Sequence, residues 1–111
     1  MSEIVVLVTC PQDGTADTLA ETLVNSRLAA CVNVISGVKS IYRWKDGVEK
    51  DTEALLIIKT TSEVWAELES KIHEEHPYDV PEIVSVPIER GCEKYLRWLN
   101  ECVIKKEQVN L

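Results

Sequence analysis

The stretch from Cys31 to Lys59 constrains this chain more than any other, because it reads as one β-hairpin too long for its own domain. A strand opens at Ala30-Cys31-Val32-Asn33-Val34-Ile35 and, past Ser36-Gly37, resumes as Val38-Lys39-Ser40-Ile41-Tyr42-Arg43-Trp44. Lys45-Asp46-Gly47 makes the turn, where the Asp-Gly pair is expected to supply left-handed backbone. Val48 to Lys59 returns, rich in β-branched residues toward its end. Fourteen residues at about 3.3 Å each reach about 46 Å, whereas a domain of this size has a radius of gyration near ~13 Å. Part of the hairpin must project. A projecting arm carrying Ile41, Tyr42, Trp44 and Val48 would leave an apolar surface and a strand edge open, and chains normally cover both. The expected cover is a second copy of the same chain.

With 111 residues, the chain is read as a single domain spanning residues 1–111. A net charge of −7, with no basic run longer than Lys105-Lys106, argues against a nucleic-acid partner. The apolar run Ile4 to Val8 is far shorter than the ~20 residues a membrane span needs, so no span is expected. The four cysteines lack CxxC or cysteine–histidine spacing, which favours reduced thiols and a cytoplasmic location. Cys31, Cys92 and Cys102 fall at apolar positions and are expected in the core. Residues 105–111 continue no helical stripe and read as a weakly ordered tail.

The remaining elements follow from periodicity. Ile4 to Thr9 is a strand ended by Pro11. A helix of about fourteen residues then buries Ala16, Leu19, Ala20, Leu23, Val24 and Leu28. After the hairpin, Thr61 or Ser62 caps a second helix with Val64, Trp65, Leu68 and Ile72 inward, and Pro77 stops it near His76. Glu82 to Ile88 is a fourth strand, with Pro87 marking an edge or bulge. A last helix carries Cys92, Tyr95, Leu96, Leu99, Cys102 and Val103 on one stripe, and Trp65 and Trp98 are read as packing anchors. The order β-α-β-β-α-β plus a helix implies an α+β fold. It matches a ferredoxin-like split β-α-β sandwich with a long hairpin between strands two and three and an added C-terminal helix. One sheet face would stay uncovered in a monomer.

Several blocks together resemble the CutA divalent-cation-tolerance family. They are Arg27-Leu28-Ala29-Ala30-Cys31-Val32-Asn33, Ser40-Ile41-Tyr42-Arg43-Trp44-Lys45 with Glu53 and Lys59-Thr60, and His76-Pro77-Tyr78-Asp79-Val80-Pro81-Glu82-Ile83. Pro87 and Tyr95-Leu96-Arg97-Trp98 follow in order. The resemblance implies a homotrimer of ferredoxin-like subunits whose hairpins extend onto neighbours, and a role in tolerance to copper and other divalent metals. It also implies a departure. Members proposed to bind copper carry a cysteine where this chain has Val8 and a histidine where it has Glu75, while their carboxylate is retained as Glu82.

Two groups of residues are candidate sites. His73 and His76, three apart at a helix end, precede Asp79 and Glu82, and with Cys10 they offer donors suited to Cu²⁺ or Zn²⁺, weakly bound and not needed for folding. Cys10 shares the face of Val8 only if no bulge intervenes between them. The second group, Tyr42, Arg43, Trp44, Glu53, Lys59 and Tyr78, would line an inter-subunit cleft or interface able to take a small anion, a metabolite or a protein. The Asp13-Gly14-Thr15 turn before the first helix is a weak anion-binding signal. No Walker loop, dinucleotide fingerprint, nucleophile elbow or HExxH is present, so the expectation is a non-enzyme. The favoured reading is a cytosolic homotrimeric metal-binding or metal-response protein. The alternative is a signalling or scaffold module.

Overall fold

The computed structural model describes residues 3–105. Four strands and three helices follow in the order β1 (Glu3–Pro11), α1 (Thr15–Asn25), β2 (Cys31–Trp44), β3 (Gly47–Thr61), α2 (Trp65–Glu75), β4 (Ile83–Pro87) and α3 (Glu93–Cys102), with a 3₁₀ turn at Ser62–Val64 leading into α2. The sheet is antiparallel throughout, in the order β2-β3-β1-β4. This is the ferredoxin-like arrangement that the sequence implies.

Alternation along the two central strands builds the core. Ile4, Val6, Val8 and Cys10 of β1 face the same way as Ala54, Leu56 and Ile58 of β3, and all are buried. Ala16, Leu19, Ala20 and Leu23 of α1 and Leu68 and Ile72 of α2 complete that layer. No bulge interrupts β1, so Cys10 does share the face of Val8. Leu28, Ala29 and Ala30 close the layer behind α1, where the Thr60 hydroxyl donates to Leu28 O at 2.7 Å and Ala30 N–H to Lys59 O at 2.9 Å.

The opposite sheet face carries Val5, Leu7, Leu55, Ile57, Val84 and Val86. Helix α3 covers only one end of it, where Asn100 Nδ2 donates to Glu3 at 2.7 Å and Thr61 is buried. Val84 and Val86 remain 46% and 49% exposed. The hairpin runs on past this sheet, and the longest dimension of the molecule is 44 Å against 30 and 23 Å for the others.

Several expectations shift. Helix α1 has 11 residues, not fourteen, and Val24 is exposed while Leu28 is buried beyond its end. Lys45, at φ 55°, takes the left-handed turn position, and Gly47 is already a strand residue opposite Trp44. Thr61 makes no side-chain capping bond, because a 3₁₀ turn precedes α2. On α3 only Leu99 and the following Val103 are fully buried. Cys92 and Trp98 are exposed, and Trp98 leans on Tyr95 at 5.5 Å instead of anchoring the core. A helix lying across a sheet end buries a narrower stripe than one packed along a whole face. The tail expected to be weakly ordered lies, apart from Lys105, outside the described residues.

Candidate functional site: an acidic, aromatic cleft beneath the arm

A bulge decides which side chains meet. Between Ile35 and Val38 the β2–β3 register shifts, so Ser36 and Gly37 together oppose Ala54. Gly37 takes φ 75°, and its N–H donates to the Gln12 side chain, tying the bulge to the end of β1. The extra residue reverses the parity of β2. Before it, Val32 and Val34 face the helices. After it, the even-numbered Val38, Ser40, Tyr42 and Trp44 lie on the open face, beside Glu49, Asp51 and Glu53 of β3.

The loop after α2 closes over these residues. His76 ends α2 in extended geometry, which a following proline favours. Its Nε2 lies 2.8 Å from Thr9 O, and Tyr78 N–H donates to Nδ1 at 3.1 Å. A carbonyl only accepts and an amide N–H only donates, so the ring is held with its proton on Nε2. This brings Tyr78 over the sheet, where its hydroxyl donates to Glu53 Oε2 at 2.9 Å. The Tyr42 hydroxyl donates to Asp51. The resulting cleft, of about 680 Å³, is walled by Tyr42, Trp44 and Tyr78, floored by Glu53, Ser40 and Thr9, and rimmed by Asp79 and Glu82.

Its electrostatics are one-sided. Glu53 is only 6% exposed, and among the described residues no lysine, arginine or histidine forms an ion pair with it. The Tyr42 phenol is pushed up to about 12, first by its bond to Asp51. Burial, then the bond to Glu53, raises the Tyr78 phenol further. Both phenols are neutral donors at physiological pH, leaving carboxylates as the charged groups of the lining.

The candidate residues thus separate. Tyr42, Trp44, Glu53, Tyr78, Asp79 and Glu82 come together. Arg43 does not, because alternation turns it to the opposite face of the arm. Lys59 lies six residues along β3 from Glu53, about 20 Å away, and its ammonium donates to Asn33. Among the described residues a small anion therefore has no cation to meet in the cleft. Nor does the first candidate group converge. Cys10 is buried on the helix side of the sheet, and burial, with Glu53 and Asp13 adding to it, pushes its thiol up to about 11. Both nitrogens of His76 are engaged, while His73 lies 3.7 Å from Glu69 on α2. Among the described residues no three His, Cys, Asp or Glu side chains group so as to hold a metal ion, and a resident centre built on Cys10, His76 and Glu82 does not fit. The anion signal before α1 is also spent, since Asp13 Oδ1 accepts from Thr15 N–H at 3.0 Å. Sequence reasoning missed Thr9, Ser40, Ile41 and Val80 in the lining; Ser36-Gly37 is the available signal for the parity change that brings Ser40 in.

A family model described as CutA1 divalent ion tolerance protein matches residues 4–102. The chain belongs to that family. It is 50% identical over 99 residues to the divalent-cation tolerance protein CutA of Thermus thermophilus, a match covering 89% of this chain and 96% of that one. The solved structure of the T. thermophilus Cut A1 protein superposes with a TM-score of 0.90 at 48% identity, covering 92% of this chain and 99% of that one. The chloroplastic CutA of Arabidopsis thaliana is 45% identical over 96 residues, which are 86% of this chain but 53% of that longer protein. This CutA chain thus spans nearly all of the bacterial relative and about half of the plant one. No helix among the described residues is long and apolar enough to cross a membrane.

Proposed function

We propose that this chain serves divalent-cation tolerance as a non-catalytic, cytosolic homotrimer that engages copper or zinc weakly through the carboxylates at the mouth of its cleft. The observation that carries the reading is the cleft's charge: Glu53, Asp79 and Glu82 line it, and among the described residues no basic side chain does. An open acidic surface attracts dications through field and loose carboxylate contact, without the convergent donors of a tight centre. The trimer is supported by the uncovered apolar sheet face and by Ile41, Trp44 and Val48 on the arm, each more than half exposed. The four free cysteines fit a reducing compartment. The alternative, a signalling or scaffold module taking a small organic ligand, is supported by the cleft's volume, which far exceeds a metal ion.

Calorimetry with Cu²⁺ and Zn²⁺ on reduced protein free of a histidine tag tests the metal reading. Weak binding that falls in Glu82→Gln and Asp79→Asn, and persists in Cys10→Ala, is expected. Tight binding lost on removing Cys10 or His76 would overturn it. Light scattering on the same samples tests the trimer, which a monomer mass would exclude.

A further inference from the structure

We infer that the cleft is a receptor for an organic cation, a guanidinium or alkylammonium group, held by the Glu53 carboxylate between the rings of Tyr42, Trp44 and Tyr78.

Glu53 is the starting point. A carboxylate more than nine-tenths buried normally has a cationic partner, because desolvating an unpaired charge is costly. Its hydrogen bond within the described residues comes from Tyr78, an uncharged donor at 2.9 Å. The second Tyr–carboxylate pair, Tyr42 with Asp51, stands beside it and adds negative charge without adding a cation. The site is therefore short of one positive group, and the cleft opens where that group would enter.

The walls define which cation. Bare metal ions need several oxygen, nitrogen or sulfur donors converging within bonding distance, and that grouping is absent among the described residues. Aromatic faces attract cations whose charge is spread over a weakly hydrated surface, as in guanidinium and substituted ammonium groups. Three such rings border the Glu53 floor, and about 680 Å³ admits a group of that kind with part of its chain. Ser40 and Thr9 on the floor offer hydroxyl oxygens to its N–H donors.

Two sources carry the same chemistry: a free small molecule, or a side chain of an adjoining copy. The opposite face of the arm bears Lys39, Arg43 and Lys50, so each copy displays both a cation-poor cleft and a cation-rich back. The inference does not depend on metal binding, which is assigned to the rim.

The test titrates the full chain with methylguanidinium and tetramethylammonium chloride, following Trp44 fluorescence and heat, with sodium chloride at matched ionic strength as the control. If the source is free in solution, the parent protein binds these probes beyond the salt control. Glu53→Gln, which keeps an acceptor for Tyr78, then weakens binding by roughly tenfold, and Trp44→Ala by several-fold. If an adjoining copy fills the cleft, the parent binds little, whereas Arg43→Gln or Lys50→Gln both loosens assembly and opens the cleft to the probe. No binding beyond the salt control by the parent and both of these variants, each folded by circular dichroism, would overturn the inference. So would parental affinity in both Glu53→Gln and Trp44→Ala. Copper titrations of Glu53→Gln keep this result separate from the metal reading, since Asp79 and Glu82 remain in that variant.

Discussion

At the scale of single residues, two buried groups sit where their charge state matters. The Cys10 thiol is held up at about 11 from an ordinary 9.0, chiefly by burial. The native state therefore binds the proton more tightly than the unfolded chain, and this contribution to stability is complete below about pH 9 and lost as pH rises through about 11. Urea midpoints measured from pH 7 to 10.5 should fall along the alkaline limb, and Cys10→Ala should flatten the part of that fall nearest pH 9. The tyrosine share persists in the variant, because it begins near pH 10, the ordinary tyrosine value. An unchanged slope would show that Cys10 is not the titrating group. Glu53 poses the complementary case. Tyr78→Phe removes the hydroxyl that donates to this buried carboxylate and should cost about 1–3 kcal/mol in urea unfolding at neutral pH. In Glu53→Gln the same tyrosine change should cost less, since a neutral amide tolerates the loss of a donor better than a charge does.

At the scale of elements, the bulge and the α3 clamp are the devices that shape the site. Gly37 sits at φ 75°, and a Cβ placed there would have nothing within 4 Å, so alanine meets backbone strain and no steric clash. Gly37→Ala should cost about 1–2 kcal/mol, while Gly47→Ala, in open space and outside the left-handed region, should change stability by less than about 0.5 kcal/mol. Equal losses in the two would contradict the placement of the bulge. Arg27, itself at φ 63°, fixes α3: its guanidinium donates to Glu101 O at 2.7 Å and Cys102 O at 3.0 Å, a cation on the carbonyl end of the helix. Arg27→Gln should lose about 1 kcal/mol, read as a lower urea midpoint. These devices mark what could be read in advance. The apolar stripe of α1 announces most of its core face, whereas β1 and β3 are apolar on both faces and their residue order marks a strand without saying which side is buried. The site was only half legible. Tyr42, Trp44, Glu53 and Tyr78 lie together in the cleft, but the sequence reading places Arg43 and Lys59 with them because nearness in sequence says nothing of face. One extra residue at Ser36-Gly37 decides the face for the whole arm. Likewise His76 looked available as a ligand, since no pattern in the chain foretells that Thr9 O and Tyr78 N–H will take both its nitrogens.

At the scale of the molecule, the distribution of apolar surface supports the proposed assembly. The core layer on the helix side is complete within one chain, yet Ile35, Val84 and Val86 on the other face, and Ile41, Trp44 and Val48 on the arm, remain open. Each buried ångström squared of such surface contributes about 25 cal/mol, so an arm seated on a neighbour would stabilise both copies. The proposed trimer would make thermal stability depend on protein concentration. Melting followed over a hundredfold dilution should show a falling midpoint. Shortening the arm should sharpen the effect. Deleting Tyr42-Arg43 together with their partners Val48-Glu49 removes two cross-strand pairs, keeps the turn and preserves the alternation of what remains. That variant should dissociate at concentrations where the parent remains assembled, while its own core on the helix side, built from β1, β3, α1 and α2, still gives native far-ultraviolet circular dichroism at high concentration. A shortened arm that dissociates no more readily than the parent would place the principal contact on the Val84–Val86 face instead. A midpoint independent of concentration in both would leave the chain a monomer, with its arm open to solvent.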